Sequence, residues 1–434
     1  MDLVEVRELE GPNLFILEPA IKIEVHSTAV RQTVETAPHP YAPSNNVPDE
    51  VLRLASLTRD VLAVAGLPDC PVTTVPMEIE GNFSIVFPWS DRRIARLVAR
   101  AVKSAIGGET IDLGGVQESA GTIRQTEPSL EDRPVMIEDE QRSAVTIAVT
   151  GTNGKTTTTR LLAHIFRNAG QSVGWSSSSG VYINGEEVLT GDYSGPRGAE
   201  RVLTDPEVDV AIVETARGGI LLRGVVCQSV DVSVFTNISP DHLDLQGVRT
   251  VEGLAWAKGV ITRITRSDGY AVLNASDPLV MDATRDIRAQ KFLISTDPTA
   301  PELLAHGASG LPVMTVIDGN ITLIETGIPT TVLPVADVPH HIGRPGHVHG
   351  RELALRCGGR PGGGRDALPG ARRSLVVPEH TRNESRPAQH FRTSGGTSHC
   401  RFRAQRGWTR GIARVRAHPL RTGWTTDRCG GYSR

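Results

Sequence analysis

The chain has 434 residues, 39% of them apolar and 22% charged, which is enough for two or three domains with buried cores and unlike a fibrous or wholly disordered chain. The acidic start MDLVEVRELEGPN lacks a basic, apolar leader, and no run approaches the roughly 18 apolar residues of a membrane span, so a cytoplasmic protein without a membrane partner is expected. The net charge of −3 hides a division: from Arg351 onward there are 18 Arg, no Lys and 5 acidic residues, which leaves −16 on residues 1–350.

Residues 1–110 combine the short apolar runs LFILE and IKIEV, a Pro/Asn-rich stretch APHPYAPSNNVPDE, a helical period over VLRLASLTRDVLAVAG, a strand FSIVF and a second helix over RRIARLVARAVKSAIGG. This order predicts a small α+β domain with no catalytic constellation. Residues 111–142 are polar and acidic with weak periodicity, as in a linker. Across 143–340 the apolar strands VTIAV, VDVAIV, VDVSVF, YAVLN and KFLIS alternate with helix-length segments, which predicts an α/β domain on a mostly parallel sheet. Asp318, Gly319 and Asn320 fall between two alternating runs and read as a hairpin. Cys70 and Cys227 stand far apart, and Cys357, Cys400 and Cys429 lie in the basic tail, so neither a disulfide framework nor a zinc site is expected.

The chemistry concentrates at the ends of these strands. VTIAV runs into TGTNGKTTT, where Gly151 and Gly154 allow a tight bend, the amides of Thr152, Asn153 and Thr157 can face phosphate, Lys155 adds a cation and Thr156 offers a hydroxyl to Mg²⁺. The following helix brings its positive pole to the same place. The spacing is G-x-x-G-K-T, shorter than the commoner P-loop. Glu214 closes VDVAIV, and ligands of parallel sheets sit at carboxyl ends, so this carboxylate is expected to face Lys155 and Thr156 and to hold Mg²⁺. A third strand end, VFTNISPDHLDLQG, brings Asn237, Asp241, His242 and Asp244, and the histidine among carboxylates reads as metal-linked.

TGTNGKTTT, the strand-end Glu214, TNISPDHLD and LNASDP resemble the central ATPase domain of the Mur ligase family. GDYSGPRGAERVLTDPEVDVAIVETARGGILLRG is similar to the Mur-like half of cyanophycin synthetases, and EGPNLF resembles the N-terminal domain of the same enzymes. The resemblance implies an ATP- and Mg²⁺-dependent ligase that joins an amino acid to a small-molecule or peptide-like carboxylate acceptor through an acyl phosphate. It implies that Lys155 and neighbouring amides hold the β- and γ-phosphates, that Thr156 and Glu214 bind one Mg²⁺, and that His242 helps to hold a second metal. Asn274 and Asp277 fall where the family contacts the nucleotide. Lys258 aligns with a lysine that is carbamylated in many members, although a lysine on a segment of helical period is ordinarily solvent-exposed. The ATP-grasp domain of cyanophycin synthetases has no room between residues 110 and 143.

Residues 341–434 open on HIGRPGHVHGRELALRCGG, where the resemblance implies a third domain. Read one base later, HCRFRAQRGW permits IVDFAHNEA, similar to the aspartate–histidine motif of that domain, and HVHGRELALRCGG permits TYMVENSLCAAA. A frameshift near residues 340–346 is expected, with 341–434 a disordered out-of-frame remnant and ligation impaired by loss of the third domain. A genuine nucleic-acid-binding tail predicts Lys beside Arg and repeated RGG or aromatic spacing, which this stretch lacks. Two other readings stay open: a nucleotide-binding regulatory protein that never ligates, and a P-loop protein that grips nucleic acid with its basic tail.

Overall fold

The computed structural model describes residues 1–29, 39–42, 46–241, 243–244 and 246–338. The readings of His242 and of residues 341–434, disorder included, lie outside the described residues.

The N-terminal part consists of strands β1 (Asp2–Leu9) and β2 (Ala20–His26), helix α1 (Asp49–Val64), strands β3 (Thr73–Pro76) and β4 (Asn82–Pro88), and helices α2 (Arg92–Ile106) and α3 (Leu113–Ile123). Its antiparallel sheet has the order β1-β2-β4-β3. Alternation sends Ile21, Ile23 and Val25 of β2 into one core with Val51, Leu54 and Val61 of α1 and Ile94, Val98 and Val102 of α2. The other face carries Lys22 and Glu24, both buried and paired with each other. The polar segment after residue 110 is more than a tether, because it contains α3. Asp112 caps that helix through the Gly115 amide at 3.0 Å, and Val116 and Ala120, one turn apart, enter the same core as α1 and α2. Two buried residues among glycines and polar side chains leave little visible period.

The second part runs β5 (Val145–Thr150), α4 (Lys155–Asn168), β6 (Val173–Ser177), β7 (Gly180–Ile183), β8 (Glu186–Thr190), α5 (Pro196–Leu203), β9 (Val210–Glu214), α6 (Arg217–Arg223), β10 (Val230–Phe235), α7 (Val251–Lys258), α8 (Val260–Arg263) and β11 (Thr265–Asn274). It continues with α9 (Pro278–Ala283), β12 (Gln290–Ile294), α10 (Pro301–Ala308), β13 (Val313–Ile317), β14 (Asn320–Glu325) and β15 (Ile328–Pro334). The sheet order is β15-β14-β13-β12-β11-β10-β5-β9-β6-β7-β8. It is parallel from β6 to β13, as the alternating strand and helix segments predict, with antiparallel hairpins at both edges. Asp318 and Gly319 turn β13 into β14 with φ of 48° and 73°, so the expected hairpin is present.

The two parts share a core. Leu14, Tyr41, Val75 and Met77 pack with Leu221, Phe235 and Leu254 in one apolar cluster. The EGPN turn is bonded to the end of α6 and the segment after it, with Val225 N donating to Pro12 O at 2.7 Å and Glu10 N donating to Arg223 O at 2.6 Å. The order reverses on either side of β5, whose neighbours are β9 and β10, so the crevice at their carboxyl ends is where such a sheet receives a ligand.

Candidate functional site

Strand β5 ends in the loop 151–154. Gly151 has φ of 141°, and a Cβ there would stand 1.9 Å from Thr236 Oγ1, so this position accepts only glycine. Gly154, with φ of 83°, caps α4. The loop is braced from the end of β10: Thr152 N donates to Asn237 O at 2.8 Å, Asn153 N to Asn237 Oδ1 at 3.0 Å, and Asn237 Nδ2 to Asn153 O at 3.0 Å. Lys155 Nζ folds back on Thr152 O at 2.9 Å. Asn237 therefore shapes the loop through both ends of its amide.

Glu214, at the end of β9, is 2% exposed. Thr156 Oγ1 donates to its Oε2 at 2.8 Å, and Ser178 N donates to the same oxygen at 3.3 Å. Ser178 Oγ stands 3.0 Å from Thr156 Oγ1. Residue reading brought Thr156 and Glu214 together but missed Ser178, whose signal was only its position in a serine run at the end of a strand beside β9. Among the described residues this buried carboxylate forms no direct ion pair and is met by a hydroxyl and an amide, a setting that a cation can complete. Among the described residues no group of three or more His, Cys, Asp or Glu could hold a metal ion. Mg²⁺ does not need such a group, since it keeps several waters and takes one or two protein oxygens beside substrate phosphates. Thr156 and Glu214 fit that demand.

Lys258, on the last turn of α7, is 4% exposed rather than solvent-facing, and its Nζ donates to Gly151 O at 2.6 Å. Burial first, and then Lys155, bring its amine from 10.5 down to about 7, against the pull of Asp241 and Glu214. Arg217, at the start of α6, is also lowered by burial, with Asp241 opposing. Lys155, Lys258, Arg217, Asp241 and Glu214 thus feel one another around a single crevice.

Asn274 and Asp277 lie beside the same loop. Asn274 Nδ2 donates to Thr236 O at 3.0 Å, while Asp277 Oδ2 accepts from Ile238 N at 2.6 Å and Oδ1 accepts from Leu279 N and Val280 N to cap α9. Both side chains fasten the end of β10. Thr157 occupies the first turn of α4.

The geometry has a counterpart among known families, since residues 149–329 match the family model for the Mur ligase middle domain. This chain carries a Mur ligase middle domain. It is 48% identical over 160 residues to the cyanophycin synthetase of Synechocystis sp. (strain ATCC 27184 / PCC 6803 / Kazusa), covering 37% of this chain and 18% of that one. It is 35% identical over 246 residues to the cyanophycin synthetase of Trichormus variabilis, covering 56% and 25%. It is 29% identical over 210 residues to the UDP-N-acetylmuramoylalanine--D-glutamate ligase of Desulfitobacterium hafniense, covering 48% and 40%. The match therefore spans about a fifth to a quarter of the cyanophycin synthetases' length. The Mur ligase middle domain contains the whole crevice, from Gly151 to Asp277. Among the described residues no helix is long and apolar enough to cross a membrane.

Proposed function

We propose that this chain is an ATP- and Mg²⁺-dependent carboxylate–amine ligase that works through an acyl phosphate. The observation that carries the reading is the 2.8 Å contact of Thr156 with the buried Glu214 beneath a loop braced by Asn237, inside a Mur ligase middle domain. The amides of Thr152 and Asn153 are taken by Asn237, so the amides of 154–157, the N-terminal end of α4 and Lys155 hold the β- and γ-phosphates, offsetting repulsion between them and the acceptor carboxylate. Mg²⁺, when bound by Thr156 and Glu214, supplies positive charge to the phosphates. Arg217 and Lys258 add positive charge to the same crevice. The acceptor carboxylate takes the γ-phosphoryl group as ADP leaves, and the amine of an amino acid held beside the acyl phosphate then attacks its carbonyl carbon, forming the amide and releasing inorganic phosphate and a proton.

A lysine whose amine is brought to about 7 is half neutral near neutral pH, as carbamylation by CO₂ requires, and this supports the assignment of Lys258 as the carbamylated lysine. His242 would join the metal site. On the out-of-frame reading of 341–434, this chain binds nucleotide and ligates weakly, and restoring the frame by one base recovers ligation.

The test is phosphate release from ATP with and without an amino acid and a peptide-like carboxylate, in the chain as it stands and with its frame restored. Release that needs both co-substrates supports the ligase; nucleotide binding with no co-substrate dependence in either protein supports the regulatory reading instead.

A further inference from the structure

Helix α7 ends on Lys258 and begins where the N-terminal sheet takes hold of it. Glu78 lies in the turn between β3 and β4. Its Oε2 accepts from the amides of Arg249 and Thr250, the latter at 2.7 Å, and its Oε1 accepts from Thr250 Oγ1 at 2.9 Å and from the Tyr41 hydroxyl at 2.9 Å. Gly253 admits this approach, since a Cβ there would stand 1.6 Å from Glu78 Oε1. Thr250 in turn caps α7 through Gly253 N at 3.0 Å. A carboxylate with four donors at a helix N-terminus is held by charge-assisted bonds and by the helix dipole.

The opposite end of α7 touches the phosphate loop, through the 2.6 Å bond from Lys258 Nζ to Gly151 O. Between the two ends, Leu254, Ala255 and Ala257 are buried in the cluster shared with Tyr41, Val75 and Met77. An eight-residue helix is a rod of about 12 Å. It joins a carboxylate of one sheet to a carbonyl of the other.

We propose that Glu78 is a positioning residue for the nucleotide site: through α7 it sets where Lys258 meets Gly151, and so sets the shape of the phosphate loop. This rests on the reading of 151–157 as that loop. The neighbouring helix α6 has its own tie to the N-terminal sheet, from Arg7 Nη1 to Leu221 O at 3.0 Å. Loss of Glu78 therefore releases the N-terminal end of α7, while Trp256 Nε1, donating to Leu14 O at 3.2 Å, still holds its middle and α6 keeps its own tie.

The experiment uses the full chain and two readouts, amide hydrogen exchange and calorimetric titration with ADP and Mg²⁺. Glu78→Gln keeps the side chain's size but turns one acceptor oxygen into an amide NH2 that faces donors. Exchange should quicken at 249–253 and also at Thr152 and Asn153, whose amides Asn237 holds in the resting fold. The Kd for ADP should weaken about tenfold, at unchanged one-to-one stoichiometry. Tyr41→Phe, which removes one donor, should move both readouts the same way by less. Should Glu78→Gln not fold, Tyr41→Phe and Thr250→Val carry the same two measurements. Faster exchange confined to 249–253, or reduced stoichiometry at unchanged Kd, would show a local structural contact and overturn the proposal. A wild-type chain that does not bind ADP would instead sink the phosphate-loop reading, and exchange at Thr152 and Asn153 would still decide the coupling.

Discussion

Buried charge is handled in opposite ways in the two halves of this molecule. In the N-terminal sheet, Lys22 is 5% exposed and meets Glu24 at 2.5 Å and Glu5 at 2.6 Å, while Asn82 Nδ2 donates to the remaining oxygen of Glu24 at 2.6 Å. Burial raises the Glu5 carboxyl, but Lys22 and Arg7 outweigh it and leave it lowered. At the ends of β5 and β9, Glu214 is met by a hydroxyl and an amide, and Lys258 by a carbonyl. Charges that satisfy one another hold a fold together; charges left short of partners are held ready for a ligand that completes them.

The largest expected effect is at the site. Lys155→Ala should lower ATP turnover by about a hundred- to a thousand-fold, because on the proposed reaction the lysine meets charge in transfer and it serves no packed core. Unchanged turnover in a folded variant would remove Lys155 from the phosphate site. The mirror experiment is Lys22→Met, which strands Glu24 and should cost about 3 kcal/mol in urea denaturation while leaving the Kd for ADP as it was. A loss of ADP affinity would erase the distinction between the two halves.

Lys258 sharpens it by pH. The unfolded chain takes up this proton below 10.5, whereas the fold resists until about 7, so stability falls as pH drops between these values and levels off below. In CO₂-free buffer, Lys258→Met should therefore gain on the wild type as pH goes from about 9.5 to about 7, and a pH-independent difference would mean the amine is not held neutral by burial. Glu214→Gln keeps the hydrogen-bonding shape but loses the charge, so its half-saturating Mg²⁺ concentration should rise about tenfold; an unaltered Mg²⁺ titration would make this carboxylate structural. Smallest of all, Arg96→Ala breaks a pair with Glu8 whose arginine is 55% exposed, and should shift stability by less than about 1 kcal/mol in the same denaturation assay.

What could be read in the sequence follows from where period and charge lie. The strands around β5 are continuous apolar runs, and the glycine loop, Thr156, Glu214 and Asn237 stand at their ends, so the crevice could be assembled from residue order. Burial of Lys258 could not, because five of the eight residues of α7, Lys258 among them, are buried and leave no clean polar face to read. The β7–β8 hairpin turns on Asn184 and Gly185 with φ of 52° and 95°, and this Asn-Gly pair is a hairpin signal legible in the sequence alone. Contacts between distant segments, such as Glu78 with Thr250, leave no local pattern at all.

The measurement that tests the central claim most directly is calorimetric titration of the full chain with ADP, with and without Mg²⁺, beside Lys155→Ala. If the under-compensated charges at β5 and β9 form a nucleotide site, ADP binds one-to-one, Mg²⁺ tightens it, and the variant loses about 2 kcal/mol, roughly 30-fold in Kd. Binding that ignores both Mg²⁺ and the loss of Lys155, or no binding to the folded wild type, would contradict it.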